Sequence, residues 1–385
     1  MMHRQVRPLV VLIAVISAAL PAQSRRSAGA LEDTVRPGIA RPLPARDTTA
    51  RLLYSGLPYG SQRYFSPVTV LLNKGFDHFQ ARNASREVWR FPYRNAMQHA
   101  VFDALLRPRA AIEYYPGART WWRTEVLPLS LKPSDARWAV NYTEHLLAGG
   151  LTYRMLGEWY AEHDVPWPRA FAAATTFAAG MMNEAAEFPT AERAASSSVA
   201  DLYVFDIGGI LLFNWNPLVR LFAGRLQAAD WSNQATFTMP DGDLRNTGQY
   251  YILKVPLPAQ RWRVFLRGGM GVQGGLTRRL DHDLSLSTAL GLDTEVRNVD
   301  PVTRDESIRL KLGGGVYLDR RNSLLASLTV GPTVQRVTLN VYPGVLPGAL
   351  RDVGVWGAAT RDGRAVFGLV HGRALGLGVG YSSRP

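Results

Sequence analysis

One histidine and three carboxylates occur at spacings that could support chemistry. His145 lies in the run NYTEHLLAGGLTYRMLGEWYAEH, and Glu184 and Glu187 lie three residues apart in RAFAAATTFAAGMMNEAAEF. Side chains three residues apart on a helix point the same way. Asp201 lies in a third apolar run, VADLYVFDIGGILLFNW. An imidazole and several carboxylates gathered between packed helices could bind a divalent metal or perform acid–base chemistry on a lipid or glycan.

The same residue types also have ordinary structural interpretations, which the sequence leaves open. His145 fits a core histidine whose ring nitrogens are hydrogen-bonded. Glu184 and Glu187 fit a solvent-facing pair, or partners of Arg154 and Arg193. The structural interpretation of this histidine and these glutamates competes directly with a catalytic one.

Asp201 has a structural alternative of its own. Ser198-Val199-Ala200-Asp201 has the pattern of a capping box that opens a helix. The sequence also contains no H-E-x-x-H zinc motif and no G-x-S-x-G nucleophile elbow. The four candidates therefore specify neither a metal nor a cofactor, and whether the protein is an enzyme stays open.

The elements that must position these candidates are two or three short apolar helices within residues 141–226. Pro166 and Pro168 separate the first two helices, and Pro189 ends the second, which is Ala-rich and strongly helix-forming. We predict a helical subdomain over 141–226. Residues 52–140, which are rich in aromatic residues and broken by Pro, are predicted to be a mixed segment of turns and short elements.

From about Asp230 onward the hydrophobic period becomes two. In RRLDHDLSLSTALGLD, Leu residues alternate with Ser, Asp, Ala and Gly. Such runs exceed the 5 to 6 residues common in soluble strands and suit membrane-crossing strands of about 9 to 11. The sequence thus predicts an α+β fold, in which short apolar helices precede an antiparallel β-barrel of roughly 8 to 10 strands over 230–385.

The alternation also favours a membrane location for this barrel. Apolar residues on one face and polar residues or Gly on the other are typical of outer-membrane barrels, which must close because lipid cannot satisfy a sheet edge. A soluble β-sandwich or a lipocalin-like barrel shows similar alternation and remains the alternative. A transport channel is disfavoured, because side chains fill most of the interior of a barrel with eight or nine strands.

Composition and the N-terminus indicate export. Residues 1–24 resemble a signal peptide, with Arg4 and Arg7 before an apolar run, and 25–51 a flexible linker. The 385 residues carry 44 basic and 31 acidic side chains, a formal charge of +13, and no Cys. Because the basic residues are scattered, we expect no nucleic-acid partner and favour outer-membrane lipid. The predicted location is the bacterial outer membrane, with the periplasm as the alternative.

The helical residues resemble a family of bacterial envelope proteins that is defined as a domain of unknown function. The family pattern is an N-x-x-x-H opening, then E-x-x-E, S-x-x-D-L and a Gly pair, and its members have an exported N-terminus and a barrel-like C-terminus. A fainter similarity is to the YfiM-type periplasmic lipoproteins, which carry a lipidated Cys that this chain lacks. The resemblance implies location more than activity. The matching residues are Asn141 and His145, Glu184 and Glu187, Ser198, Asp201 and Leu202, and Gly208 and Gly209.

Two functions follow as hypotheses. The first is an outer-membrane-associated barrel protein with a structural, binding or envelope-maintenance role. The second is an envelope enzyme that acts on lipid or glycan through His145, Glu184, Glu187 and Asp201.

Overall fold

The architecture was taken from a computed structural model, which describes residues 52–81, 88, 91–113, 115–127, 141–187, 194–259, 261–298, 306–332, 335–372 and 376–383. These residues have an α+β fold, as predicted: helices precede Ala229, and strands follow it. The predicted signal peptide and linker lie outside the described residues, as does part of the predicted segment 52–140. The domain boundaries stay predictions.

The helical region contains ten helical segments among the described residues. The first three are short: α1 (Gly60–Tyr64), α2 (Pro67–Gly75) and α3 (His78–Ala81). Next are α4 (93–106), α5 (Pro108–Ile112), α6 (118–126), α7 (141–162) and α8 (Pro168–Glu187). The last two are α9 (194–213) and α10 (216–225).

Local sequence explains most of these boundaries. Pro occupies the first position of α2 and α8, where its missing N–H costs nothing. The Ala-rich α8 ends at Glu187, two residues before Pro189, as predicted. The start of α9 differs from the prediction: the helix begins at Ala194, so Ser198 lies inside it and does not cap it. The capping-box prediction is therefore wrong.

Thirteen strands form one sheet. The N-terminal ones are β1 (Ala229–Asp230), β2 (Thr236–Met239), β3 (Asp243–Arg245), β4 (Tyr251–Pro256), β5 (Trp262–Gly269) and β6 (Gly271–Arg279). The two longest are β7 (Leu284–Asn298) and β8 (Glu306–Arg320). The remainder are β9 (Ser323–Val330), β10 (Gln335–Val341), β11 (Val353–Thr360), β12 (Ala365–His371) and β13 (Gly378–Ser382), with a 3₁₀ turn at Gly348–Leu350.

The strand order runs β1, then β4 through β13, then β2 and β3. All neighbours are antiparallel except β13 and β2, which are parallel. Because the order begins at β1 and ends at β3, the strand pairs alone do not make a closed barrel. The strand count exceeds the predicted 8 to 10, and two of the thirteen arise because the extended stretches 229–239 and 243–256 are each interrupted and count as two strands.

The two faces of the sheet have opposite chemistry. Along β7, Ser285, Ser287 and Ala289 are buried, whereas Leu290 and Leu292 are exposed. The same reversal occurs in the other long strands. The buried side chains include Arg267, Gln273, Thr277, Tyr317, Asp319, Thr338 and Asn340. The exposed ones include Leu266, Val272, Leu276, Leu310, Leu312, Val316, Leu328, Val330, Leu339, Phe367, Leu369 and Val379.

The first helices anchor the helical region to the sheet. Ser61 donates its hydroxyl to the Asp230 carbonyl at 2.8 Å, and the Asn73 amide donates to the Asn233 carbonyl at 2.9 Å. The Thr247 hydroxyl donates to the Phe76 carbonyl at 2.9 Å. An aromatic core that includes Tyr64, Trp231, Phe265 and Tyr317 lies next to these contacts. Helices and strands therefore belong to one compact unit, residues 52–385.

Candidate functional site

Three of the four predicted site residues meet in the helical region. His145, Glu184 and Asp201 each present one ligand atom, and these atoms lie within 4.8 Å of one another. All three side chains are buried. Glu187 lies one turn beyond Glu184 on α8 and is only half-buried. It is not among the three converging groups.

Each of the three residues comes from a different helix. His145 lies on α7 in the π-helical turn Asn141–Ala148, and Asp201 lies on α9 in the π-helical turn Ala200–Asp206. Glu184 lies in the last turns of α8. A π turn widens the helix and rotates its side chains, and such turns occur frequently at functional sites. The wider turns are where α7 and α9 supply the imidazole and the carboxylates.

A second layer of side chains holds the site residues in place. Asp206 Oδ1 lies 3.2 Å from His145 Nδ1, and Lys74 Nζ lies 3.1 Å from the same oxygen. The Ser198 hydroxyl donates to Glu184 Oε2 at 2.6 Å. Gly180 leaves room for this arrangement, since a Cβ there would lie 2.0 Å from Asp206 Oδ2. Because Nδ1 contacts Asp206, Nε2 is the His145 ring nitrogen that faces Glu184.

Two carboxylate oxygens at the site lack a hydrogen bond. Among the described residues, neither Glu184 Oε1 nor Asp201 Oδ1 has a hydrogen-bond partner, although both are shielded from solvent. Glu184 Oε1 lies 3.8 Å from His145 Nε2. Such unpaired buried groups normally cost free energy, so they call for an explanation.

The solvent-facing interpretation of Glu184 and the capping interpretation of Asp201 are wrong in this geometry. Glu184 is not solvent-facing, and Arg154 pairs with Glu158 at 2.8 Å. Arg193 lies outside the described residues. Asp201 is not a cap, because α9 begins seven residues before it at Ala194.

Charge and burial shift the pKa values of the histidine and its partner. Burial disfavours the His145 imidazolium, but the carboxylates of Asp201, Asp206 and Glu184 outweigh it and hold the pKa of His145 well above its ordinary value. Burial likewise opposes ionisation of Asp206, but Lys74 and His145 lower its pKa. This pair is an ion pair linked to Lys74.

The converging acids behave in the opposite way. Burial, followed by the charges of Asp201 and Glu187, raises the pKa of Glu184 well above its usual range. Burial raises the pKa of Asp201 to about 8, despite the opposing charge of His145. The site thus places three buried carboxyl groups beside two basic groups, and burial opposes the ionisation of Glu184 and Asp201.

Sequence reasoning missed Lys74 as a partner of the site residues. Lys74 is one of four lysines in the chain and lies in the apolar run PVTVLLNKG, which was a signal that its charge needed a partner. Its partner, Asp206, is 132 residues away. Asp206 follows Asp201 in the same apolar run but has its own role, because it orients His145.

Two cavities beside the sheet, among the described residues, lie away from this site. One, of about 40 Å³, is lined by residues such as Gln80, Arg267 and Asp293, and the other, of about 10 Å³, by residues such as Leu151 and Tyr251. Among the described helices, Ala195–Phe213 is long and apolar enough to cross a membrane, but 56% of its apolar 18-residue stretch is buried inside the protein. Because Asp201 and Asp206 on it face the protein interior, we treat it as a core helix.

Comparison with known proteins identified no relative. The chain matches no protein-family model and no curated protein. The resemblance to bacterial envelope proteins stays a prediction.

Proposed function

We propose that this protein is an outer-membrane β-barrel with a filled interior, which serves a structural or binding role in the bacterial envelope. The observation that carries this proposal is the reversed polarity of the sheet, whose outer face is apolar and whose inner face is polar. Outer-membrane barrels require this arrangement, because lipid contacts the outside and water or polar groups occupy the inside.

The outer apolar face is too exposed for a soluble sheet. Leu290, Leu312 and Val379 are 69%, 73% and 70% exposed, on strands spread across the sheet. In contrast, Tyr317 and Asp319 on the inner face are each 1% exposed. Contiguous apolar surface of this extent marks an interaction with a membrane or a protein. The soluble sandwich or lipocalin-like alternative would place these Leu and Val side chains inside.

Backbone hydrogen bonds support closure of the sheet along the stretches 229–239 and 243–256. β1 pairs with β4 at one end of these stretches, and β2 pairs with β3 at the other. In between, the Trp231 N–H donates to the Tyr250 carbonyl at 2.8 Å, and the Asn233 N–H donates to the Gly248 carbonyl at 3.0 Å. If these stretches act as two continuous strands, eleven strands make a ring. Strand direction alternates between antiparallel neighbours, so the first and the eleventh strand have the same direction. Where the ring closes, these two strands must therefore pair in parallel. The observed pairing of β13 with β2 is parallel.

The interior supports a plugged barrel better than a channel. Lys254 and Asp319 pair at 2.6 Å, and Arg267 lies 3.4 Å from the centre of the Tyr250 ring. The cavity of about 40 Å³ among these inner side chains has room for only a few water molecules. Gln80, from α3, also lines it.

The enzyme alternative depends on the cluster of His145, Glu184 and Asp201. Its perturbed pKa values are typical of functional sites. However, its side chains are buried, and neither cavity beside the sheet reaches it. This burial favours the barrel role over a site open to a lipid or glycan substrate.

The first test is the gel mobility of the protein from a carbonate-washed outer-membrane fraction, with boiled and unboiled samples compared. Retention in the fraction and a mobility that changes on boiling are the results expected of a closed membrane barrel. Release by the wash, with no mobility change, would contradict the proposal and favour a soluble periplasmic protein.

A second test uses the absence of native Cys, since one introduced thiol is then the sole thiol. In membranes, Leu290→Cys should resist a charged, water-soluble maleimide until urea is added, because lipid covers it. Leu280→Cys, in the turn before β7, is the matched control and should react in both conditions. Equal reaction of both thiols in intact membranes would contradict the lipid-facing assignment, because Leu290 is exposed on the isolated protein.

A further inference from the structure

We infer that His145, Glu184 and Asp201 form a binding site for one divalent transition-metal ion, inside the helical region. The inference does not depend on whether the sheet lies in a membrane. It rests on the converging ligand atoms, on the oxygens that lack hydrogen bonds, and on the side chains that orient the ligands.

The distances suit coordination after a small closure. In a tetrahedral site with bonds of about 2.0–2.2 Å, ligand atoms are about 3.3–3.6 Å apart. His145 Nε2 and Glu184 Oε1 are 3.8 Å apart, and the atoms of all three residues lie within 4.8 Å of one another. Movements of the ligand atoms by a few tenths of an ångström to about an ångström would bring them to bonding distance around one ion.

The orientation of His145 is the one that metal-binding histidines use. Such a histidine donates its second ring N–H to a carboxylate, which fixes the tautomer and the ring plane. Asp206 Oδ1 receives this contact from Nδ1 at 3.2 Å, and Lys74 fixes the carboxylate in turn. Nε2, which lies 3.8 Å from Glu184 Oε1, is then the ring nitrogen available to a metal ion.

Each of the two acids keeps one carboxylate oxygen without a hydrogen bond. The Ser198 hydroxyl donates to Glu184 Oε2, so Glu184 Oε1 is the oxygen that can coordinate a metal ion. Asp201 Oδ1 likewise has no hydrogen-bond partner among the residues that the structure describes. One carboxylate oxygen of each acid lies within 4.8 Å of the other and of a His145 ring nitrogen, so one cation can contact both acids.

Charge balance favours a divalent ion. The carboxylates of Glu184 and Asp201 supply two negative charges, and Lys74 already compensates Asp206. A divalent ion with a neutral His145 therefore leaves this set of groups neutral. One imidazole and two carboxylates suit Zn²⁺ or Mn²⁺ better than Ca²⁺, which prefers six to eight oxygen ligands.

The experiment uses the full chain in detergent, stripped with EDTA and dialysed against Zn²⁺, with the bound metal counted by mass spectrometry. We expect one ion per chain and a higher unfolding temperature with Zn²⁺ than with EDTA. Glu184→Gln and Asp201→Asn should each lower the affinity by more than about 100-fold. Asp206→Asn, which keeps all three ligands, should retain one site but lose about 10–100-fold in affinity.

Asp230→Asn is the matched control, since Asp230 is also buried but lies at the sheet and is hydrogen-bonded to Ser232. It should bind Zn²⁺ like the parent. The inference is overturned if the EDTA-stripped parent takes up no stoichiometric Zn²⁺, Mn²⁺ or Co²⁺ and its unfolding temperature does not respond to them. It is also overturned if the ligand variants bind as the parent does.

The test does not depend on whether every ligand variant folds. The metal stoichiometry and the unfolding temperature of the parent protein are sufficient to overturn the inference. The visible absorption of Co²⁺ bound to Asp206→Asn gives a further readout. A changed spectrum with one site retained indicates that Asp206 positions the histidine, and a purely structural Asp206 would leave the spectrum unchanged.

Discussion

The inner face of the sheet and the cluster of the helical region both bury charge, but they balance it differently. At the sheet, Lys254 contacts Asp319 at 2.6 Å, and Asp319 also accepts from the Asn322 N–H at 3.1 Å. In the helical region, Lys74 and His145 both contact Asp206, and the same His145 is the basic group nearest to Glu184, at 3.8 Å. Glu184 Oε1 and Asp201 Oδ1 have no hydrogen-bond partner among the described residues.

The contrast separates a structural network from a binding site. Breaking a buried pair leaves an unpaired charge, whereas an existing excess of charge can be relieved only by protons or by a bound cation. The sheet therefore resembles a completed interior. The helical cluster resembles a site that is completed by a ligand.

The largest expected effect comes from breaking the pair at the sheet. Lys254→Met should destabilise the protein by about 3–5 kcal/mol, because Asp319 is left buried without a cation. Unfolding by urea in detergent micelles measures this change. The double variant Lys254→Met/Asp319→Leu should recover most of the loss. If the single variant were as stable as the parent, the sheet interior would not depend on this pair.

A charge on the outer face of the sheet should have the next largest effect. Leu290→Arg should cost about 2–4 kcal/mol in a bilayer, because Leu290 lies in the middle of the long strand β7. Leu280→Arg, in the turn, should cost about 0–1 kcal/mol at the interface. Folding into lipid vesicles, followed by gel mobility, measures both. Equal costs for the two variants would argue against a lipid-covered belt.

The helical cluster should respond with the opposite sign in the absence of metal. Asp201→Asn should stabilise the EDTA-treated protein by about 1 kcal/mol near pH 8, because it removes one unpaired buried charge. With Zn²⁺ present, the same variant should be less stable than the parent. Thermal unfolding with EDTA and with Zn²⁺ tests the reversal. Destabilisation of equal size in both conditions would mean that the two regions balance charge alike.

The smallest effect concerns pH. Burial, then the charge of Glu187, raises the pKa of Asp77 to about 8, against the lowering effects of His145 and Lys74. Because the folded pKa exceeds the unfolded value of about 3.9, this group stabilises the fold fully below pH 4, and the contribution is lost as the pH rises towards 8.

Asp77→Asn should therefore flatten the loss of stability between pH 5 and pH 8, and it leaves an amide oxygen that can accept from the Asn183 amide. Chemical unfolding at a series of pH values measures the slope. Glu113→Gln, whose carboxylate is exposed at the end of α5, should leave the slope unchanged. An unchanged slope for Asp77→Asn would mean that Asp77 is not a source of the pH dependence.

Residue patterns predicted the local structure well and the long-range contacts poorly. The Ala-rich run and its terminal Pro predicted α8 almost to the residue, and the alternating run RRLDHDLSLSTALGLD overlaps β7. The count of strands was too low in part because breaks in extended segments, such as the one between β1 and β2, depend on packing rather than on alternation. Ser198 was assigned to a cap because its motif is local, whereas its partner, Glu184, is on another helix.

The sequence by itself determined the α+β division, the helices that carry His145, Glu184 and Asp201, and the two faces of each long strand, because helix propensity and hydrophobic period act over a few residues. Only the tertiary structure decided that these three side chains converge, that Lys74 and Asp206 support them, and that the polar face of the sheet is the buried one. Those facts depend on contacts between residues far apart in the chain, and they follow only once the helices and strands have packed.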